Sequence, residues 1–205
     1  EAHRALAGSP VLLGAQQVHW ADAGPYTGEV SLPMLADLGC SFVIVGHSER
    51  RHVLRELPEH TVKRGAAVLE HSALTLVFCI GETLEERETG CTEDCLGAQL
   101  EPLLASAEDA CRSSGRLVVA YEPVWAIGTG KVATLEQIAD THASIRRMLE
   151  GHRVSAPILY GGSVTAESAA EILSVGAVSG LLVGGASLVE EKFLAIARAA
   201  EERRA

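Results

Sequence analysis

Three groups of residues in this chain have types and spacings that could do chemistry, and each stands where an apolar run ends. Glu122 closes the run Leu117-Val118-Val119-Ala120-Tyr121 and is followed by Pro123-Val124-Trp125-Ala126-Ile127-Gly128-Thr129-Gly130-Lys131. A carboxylate at the end of an apolar strand is costly unless it is exposed or working. After Glu122 come a Pro, a Trp and two glycines, with no charge before Lys131. That is the composition of a loop that can close over a ligand and exclude water. An ordinary connecting loop with an exposed acid is the plainer alternative, and it leaves the combination of Pro, Trp and paired glycines without a purpose.

The second group is Gly46-His47-Ser48-Glu49-Arg50-Arg51, which follows an earlier apolar run. His47 sits where the chain enters a helix, and the positive helix terminus disfavours a protonated imidazole. A neutral imidazole can donate a hydrogen bond to a carbonyl oxygen near neutral pH without giving its proton away outright. A histidine that merely caps or lines a strand end is the plainer reading of an isolated one. It suffices for His3, His19, His52, His60, His71, His142 and His152, which lie in helical or loop contexts with no partner motif. The third group is a pair of matching turns, Tyr160-Gly161-Gly162-Ser163-Val164 and Val183-Gly184-Gly185-Ala186-Ser187. Paired glycines before a helix let backbone N–H groups approach an anion closely. Either turn alone could be merely tight; two at matching places point to a phosphate.

The elements that must position these groups are short. Apolar and β-branched runs at 11–15, 42–46, 74–80, 117–121, 158–161 and 181–184 read as strands buried on both faces. Between them lie helical stripes: Val62, Ala66 and Leu69; Leu135, Ile138, Ala139, Ile145, Met148 and Leu149; and Leu188, Phe193, Leu194, Ile196 and Ala197. Thr134 with Gln137 has capping-box spacing, and Thr165 with Ser168 marks a second helix start. Strands alternating with helices predict parallel βαβ units in a single domain over residues 1–205. An open doubly wound sheet gathers its site at one switch point, whereas a barrel builds it from the C-terminal ends of many strands. Here unusual residues follow nearly every strand. The expectation is the α/β class and a (β/α)8 barrel, incomplete in that six βα units are visible.

Composition limits the partners. The 205 residues are 47% apolar, enough for one sizeable core. A net charge of −10 leaves no basic face for nucleic acid or an anionic membrane, yet local N–H groups can still hold one phosphate. Cys40, Cys79, Cys91, Cys95 and Cys111 form an odd set with no C-x-x-C pair, which argues against a disulfide framework and a zinc site. No carboxylate–histidine motif has metal-ligand spacing, so neither a metal nor an organic cofactor is expected. No apolar stretch nears the roughly 20 residues of a membrane span, and no signal peptide opens the chain, so a cytoplasmic protein is expected.

Together, the runs Gly14-Ala15-Gln16, Val45 to Arg51, Cys79-Ile80-Gly81-Glu82, Ala120 to Lys131, Tyr160 to Val164 and Leu182 to Ser187 resemble the triosephosphate isomerase family, in that family's order. The similarity covers essentially the whole chain. The family is a standard example of neutral-histidine chemistry. The resemblance implies that Glu122 is the base moving a proton between C1 and C2 of dihydroxyacetone phosphate and D-glyceraldehyde 3-phosphate, and that His47 polarises the carbonyl and shuttles protons between the enediolate oxygens. It implies that Ser48 and Glu49 lie near the site, and that Gly128, Ser163, Gly184 and Gly185 bind the phosphate through backbone N–H groups. Residues 123–131, with Pro123, Trp125, Thr129 and Lys131, would form the lid, received by Tyr160 and Ser163. It implies a homodimer or other homo-oligomer through the loop over residues 17–31, which, with Thr27 near its tip, reaches the other subunit's site in the family's dimer.

The family's first strand ends in an Asn-x-Lys turn that has no counterpart here. The only lysines are Lys63, Lys131 and Lys192, none an obvious substitute. The first two βα units of the barrel are therefore expected to be missing from these residues and the isomerase impaired. The competing expectation is a low-activity or non-catalytic homologue or fragment that binds phosphorylated ligands or partner chains. A barrel enzyme of amino-acid or thiamine biosynthesis leaves Glu122 and the lid sequence unexplained.

Overall fold

The computed structural model describes residues 1–127 and 131–203. In chain order the elements are α1 (Ala2–Ala5), β1 (Gly14–Ala15), α2 (Leu32–Asp37), β2 (Phe42–Val45), α3 (Ser48–His52), α4 (Pro58–His71), β3 (Thr75–Ile80), α5 (Leu84–Glu88), α6 (Thr92–Ser106), α7 (Glu108–Ser113), β4 (Leu117–Tyr121), α8 (Leu135–Gly151), β5 (Ile158–Tyr160), α9 (Ala169–Ser174), β6 (Gly180–Leu181) and α10 (Glu190–Glu202). This is the α/β alternation that the sequence predicts. Contacts divide the chain into two compact units, one of Glu1–Cys79 with Gln99–Val118 and one of Ile80–Ala98 with Val119–Ala205.

In the first unit β1, β2 and β3 pair parallel in chain order, Gly14 opposite Phe42 and Phe42 opposite Thr75. Val43, Val45, Leu76 and Phe78 are buried with Val68, Leu69, Leu100 and Leu103. Helix α4 lies so close that a methyl group on Gly65 would meet Leu103 at 2.9 Å and Phe78 at 3.3 Å. Arg116 closes the end of α4, donating from Nη2 to the Leu69 carbonyl and from Nη1 to those of Ser72 and Leu74. In the second unit β4, β5 and β6 pair parallel, Tyr121 opposite Tyr160 and Tyr160 opposite Leu181. Its core joins Ala120, Tyr121, Ile138, Ile145, Leu149, Ile158, Leu173 and Val178.

The terminal strands are shorter than their apolar runs. Of residues 11–15 only Gly14 and Ala15 are strand, while Val11 and Leu12 are 59% and 64% exposed. Of 181–184 only Leu181 is strand, joined by Gly180; after Leu182 donates to the Tyr160 carbonyl the chain tightens into a 3-10 turn over Gly185–Leu188. Apolar residues make a run competent for a strand, but the strand extends only as far as a partner backbone bonds it.

The helical stripes also shift. The buried face of α4 is Thr61, Arg64, Gly65, Ala67, Val68 and Leu69, with Val62 and Ala66 half-buried, because Arg64 finds carboxylate partners inside. On α8, Leu135 is exposed while Thr141 and His142 join Ile138, Ile145 and Leu149. On the last stripe Ile196 is buried but Leu188, Phe193 and Leu194 are exposed. The capping box at Thr134 and Gln137 forms as expected. Thr165 and Ser168 exchange side-chain and backbone bonds, but α9 begins only after Ser168. No cysteine is in a disulfide, and Cys79 and Cys111 are buried.

Candidate active site

His47 stands in the first unit at the end of β2. Gly46 before it has φ +78, and a side chain there would strike Thr61 at 2.8 Å and the Cys79 carbonyl at 3.0 Å, so glycine alone makes this turn. The guanidinium of Arg51 fixes the turn by donating from Nε to the Gly46 carbonyl at 2.8 Å. His47 is the N-cap of α3, and its Nδ1 accepts the backbone N–H of Glu49 at 3.3 Å. An accepting Nδ1 carries no proton, so the neutral ring carries it on Nε2 and presents a donor there. Ser48 is buried, and the Glu49 side chain is exposed.

Glu122 stands in the second unit, 1% exposed, at the end of β4. Main chain places it: its N–H donates to the Ile80 carbonyl at 2.8 Å, and a methyl group on Gly81 would fall 1.7 Å from its carbonyl oxygen. A methyl group on Gly161 would meet its Cγ at 3.0 Å, so the Gly161-Gly162 turn also lets the acid in. Pro123 approaches Gly162, where the Tyr160 hydroxyl also lies. Ser163 Oγ donates to the Ala126 carbonyl at 2.5 Å, joining the first glycine turn to the start of the expected lid. The structure thus gathers Glu122, Pro123, Tyr160 and Ser163 in one unit. Gly184 and Gly185 are exposed at the 3-10 turn, and Lys131 is exposed. Gly128 and Thr129 lie outside the described residues.

One residue of this neighbourhood, the last of the run Cys79 to Glu82, is given no role by the resemblance. Glu82 is fully buried, and its Oε1 accepts from Arg87 Nη1 at 2.8 Å, Trp125 Nε1 at 2.9 Å and the Tyr121 hydroxyl at 3.0 Å. Burial, reinforced by the Glu82 charge, pushes the Tyr121 phenol far above its ordinary value, so it remains a donor. Burial likewise raises Tyr160 to about 12. The signal that could have found Glu82 is the one that found Glu122, a carboxylate just past an apolar strand.

A cavity of about 580 Å³ in the first unit, bordered by Glu70, Ser106, Glu108, Asp109 and Arg116, touches none of these motif residues, and its carboxylates would repel a phosphate. Among the described residues no group of three or more His, Cys, Asp or Glu could hold a metal ion, and no helix is long and apolar enough to cross a membrane.

Residues 1–200 match the family profile of triosephosphate isomerase. The chain belongs to the triosephosphate isomerase family. It is 50% identical to the triosephosphate isomerase of Bordetella pertussis over 196 residues, which cover 95% of this chain and 77% of that protein. It is 47% identical to that of Chlamydia trachomatis serovar D over 198 residues, 94% of this chain and 70% of the relative. The triosephosphate isomerase of Lawsonia intracellularis is 45% identical over 198 residues, 95% of this chain and 77% of the relative. Membership makes the chain an isomerase of the TIM-barrel class, with a triose phosphate as its substrate. A non-catalytic, phosphate-binding homologue is the less favoured reading.

Proposed function

We propose that Glu122 and His47 are the groups with which this chain interconverts dihydroxyacetone phosphate and D-glyceraldehyde 3-phosphate, the step shared by glycolysis and gluconeogenesis. The carboxylate of Glu122 takes a proton from C1 of the ketose, leaving an enediolate, and returns it to C2 to give the aldose. His47 donates from Nε2 to the carbonyl oxygen as negative charge develops there, then passes its proton between the two oxygens. The supporting observation is the bond from the Glu49 amide to His47 Nδ1, which keeps the Nε2 proton as the one to give. A neutral imidazole donates without collapsing the enediolate into a full acid–base pair.

Around them, backbone N–H groups of Gly128, Ser163, Gly184 and Gly185 hold the phosphate, as an anion is held at a helix entrance. Pro123, Trp125, Thr129 and Lys131 belong to the lid, Tyr160 and Ser163 receive it when closed, and Ser48 and Glu49 support the imidazole. The protein works as a cytoplasmic homodimer joined through residues 17–31. The deciding experiment is Glu122→Gln, which keeps shape and removes basicity. In a preparation active before the change, kcat falls by about 10²–10⁴ or more with KM less affected. Unaltered turnover in that variant discards Glu122 as the base.

A further inference from the structure

The first unit concentrates buried charge in one place that the proposed chemistry leaves unused. Arg64 projects from α4 with 5% exposure, and its guanidinium forks onto Glu29, with Nη1 3.1 Å from Oε2 and Nη2 3.2 Å from Oε1. Nη1 also donates to the Val18 carbonyl, and the guanidinium lies 5.3 Å from the centre of the Trp20 ring. Its Nε is 2.7 Å from Glu56 Oε1, an ion-pair distance reached off the N–H axis. Gln17 Nε2 donates to that same oxygen at 3.2 Å. The other oxygen of Glu56 accepts from Arg50 Nε at 3.1 Å, and the Glu56 amide donates to the Arg50 carbonyl at 2.9 Å.

These partners divide into two elements. Gln17, Val18, Trp20 and Glu29 belong to the 17–31 segment, closed at its base by the His19 amide on the Val30 carbonyl at 2.8 Å. Arg50 belongs to α3, and its own amide bonds the carbonyl of His47, the residue that caps that helix, at 2.8 Å. Glu56 therefore holds the segment with one oxygen and α3 with the other. Two acids, Glu29 and Glu56, balance two guanidiniums, Arg50 and Arg64; the side chains of Glu56 and Arg64 are buried while Glu29 and Arg50 are partly exposed, so loss of a partner strands charge most at Glu56 and Arg64. Satisfied charge networks of this kind rigidify the elements they join.

We propose that Glu56 is a positioning residue that couples the 17–31 segment to His47, so that the placement of the segment sets the imidazole for reaction. The inference rests on the role given to His47 above.

Glu56→Gln in the full chain tests it, because the amide keeps the shape and cannot hold both guanidiniums as a carboxylate does. Two readouts are taken: isomerase kinetics, and the imidazole ¹⁵N resonances of His47 in histidine-labelled protein, assigned by their loss in His47→Asn. The expected result is a kcat lower by about 10-fold or more, KM within about 3-fold, and displaced His47 resonances. Arg50→Lys, at a half-exposed side chain, is expected to move both readouts the same way and decides alone should Glu56→Gln not fold. A folded variant with native kcat and native His47 resonances overturns the coupling, even if its melting temperature falls. Should the parent chain prove inactive on triose phosphates, the reading of the site fails, while the resonance comparison still decides whether Glu56 governs His47.

Discussion

His142 lies fully buried on α8, its Nδ1 3.4 Å from the Ala177 carbonyl and its ring edge-on to Tyr121 at 5.7 Å. Burial lowers its pKa from 6.5 to about 4, with Arg146 adding to the effect and the Ala177 carbonyl opposing it. The folded imidazole is neutral where the unfolded one is already charged. Stability is therefore complete above the unfolded value and is lost as pH falls from about 6.5 through about 4, by up to about 3 kcal/mol. His142→Gln should flatten this stretch of the profile in urea unfolding at stepped pH. Parallel wild-type and variant curves across that window would assign the acid lability to other groups. At this scale the sequence singled out His47 and Glu122 because each follows an apolar run. It hid His142 and Arg64, because a polar residue on a helix reads as solvent-facing until distant partners are known, whereas Glu82 carried the same signal as Glu122, a carboxylate just past an apolar strand, without a role attached to it. The partners of Glu82 include Tyr121 and Trp125, 39 and 43 positions away, and those of Arg64 include Glu29 at 35.

The segment after Glu122 begins with two anchors, Trp125 on Glu82 and Ala126 under Ser163. If the residues beyond these anchors form a lid, their service is to keep water from an intermediate that can expel its phosphate. Deleting residues 127–130 should then raise methylglyoxal relative to isomerised product, as measured by parallel assays of both. An unaltered ratio would mean that the segment closes nothing. Element order and the α8 cap were legible because strand runs and capping boxes are local signals. Strand length was not. Val11 and Leu12 are as apolar as a strand requires but have no strand partner among the described residues, and pairing is a property of two segments. The stripe on α4 was misplaced for a related reason, since a buried ion pair has no apolar signature.

For the molecule as a whole, the first unit exposes Tyr26, Val30, Met34, Val53 and Leu54, the last two at 71% and 62%. Exposed apolar residues of this kind are what a self-complementary interface uses. The chain should sediment as a dimer, and removal of residues 22–28 should yield a monomer of lower kcat. A dimer that persists in the deletion variant would place the interface elsewhere. A net charge of −10 spread over such a molecule favours small anions held by backbone groups over any extended polyanion.

The close approach at Gly81 has a consequence for how this protein can vary. Because a methyl group there would sit 1.7 Å from the Glu122 carbonyl oxygen, the acid is seated by one stretch of main chain lying on another. Main chain is common to all residues, so substitutions nearby alter the walls around the carboxylate far more readily than its seat. Position 81 is the exception, where even alanine pushes directly on the peptide of Glu122. In a library randomised over residues 81–84 and selected for isomerisation, half-buried Leu84 has room to drift, position 82 keeps the carboxylate that takes three donors, and position 81 returns as glycine, a fixed point about which the rest of the site can evolve.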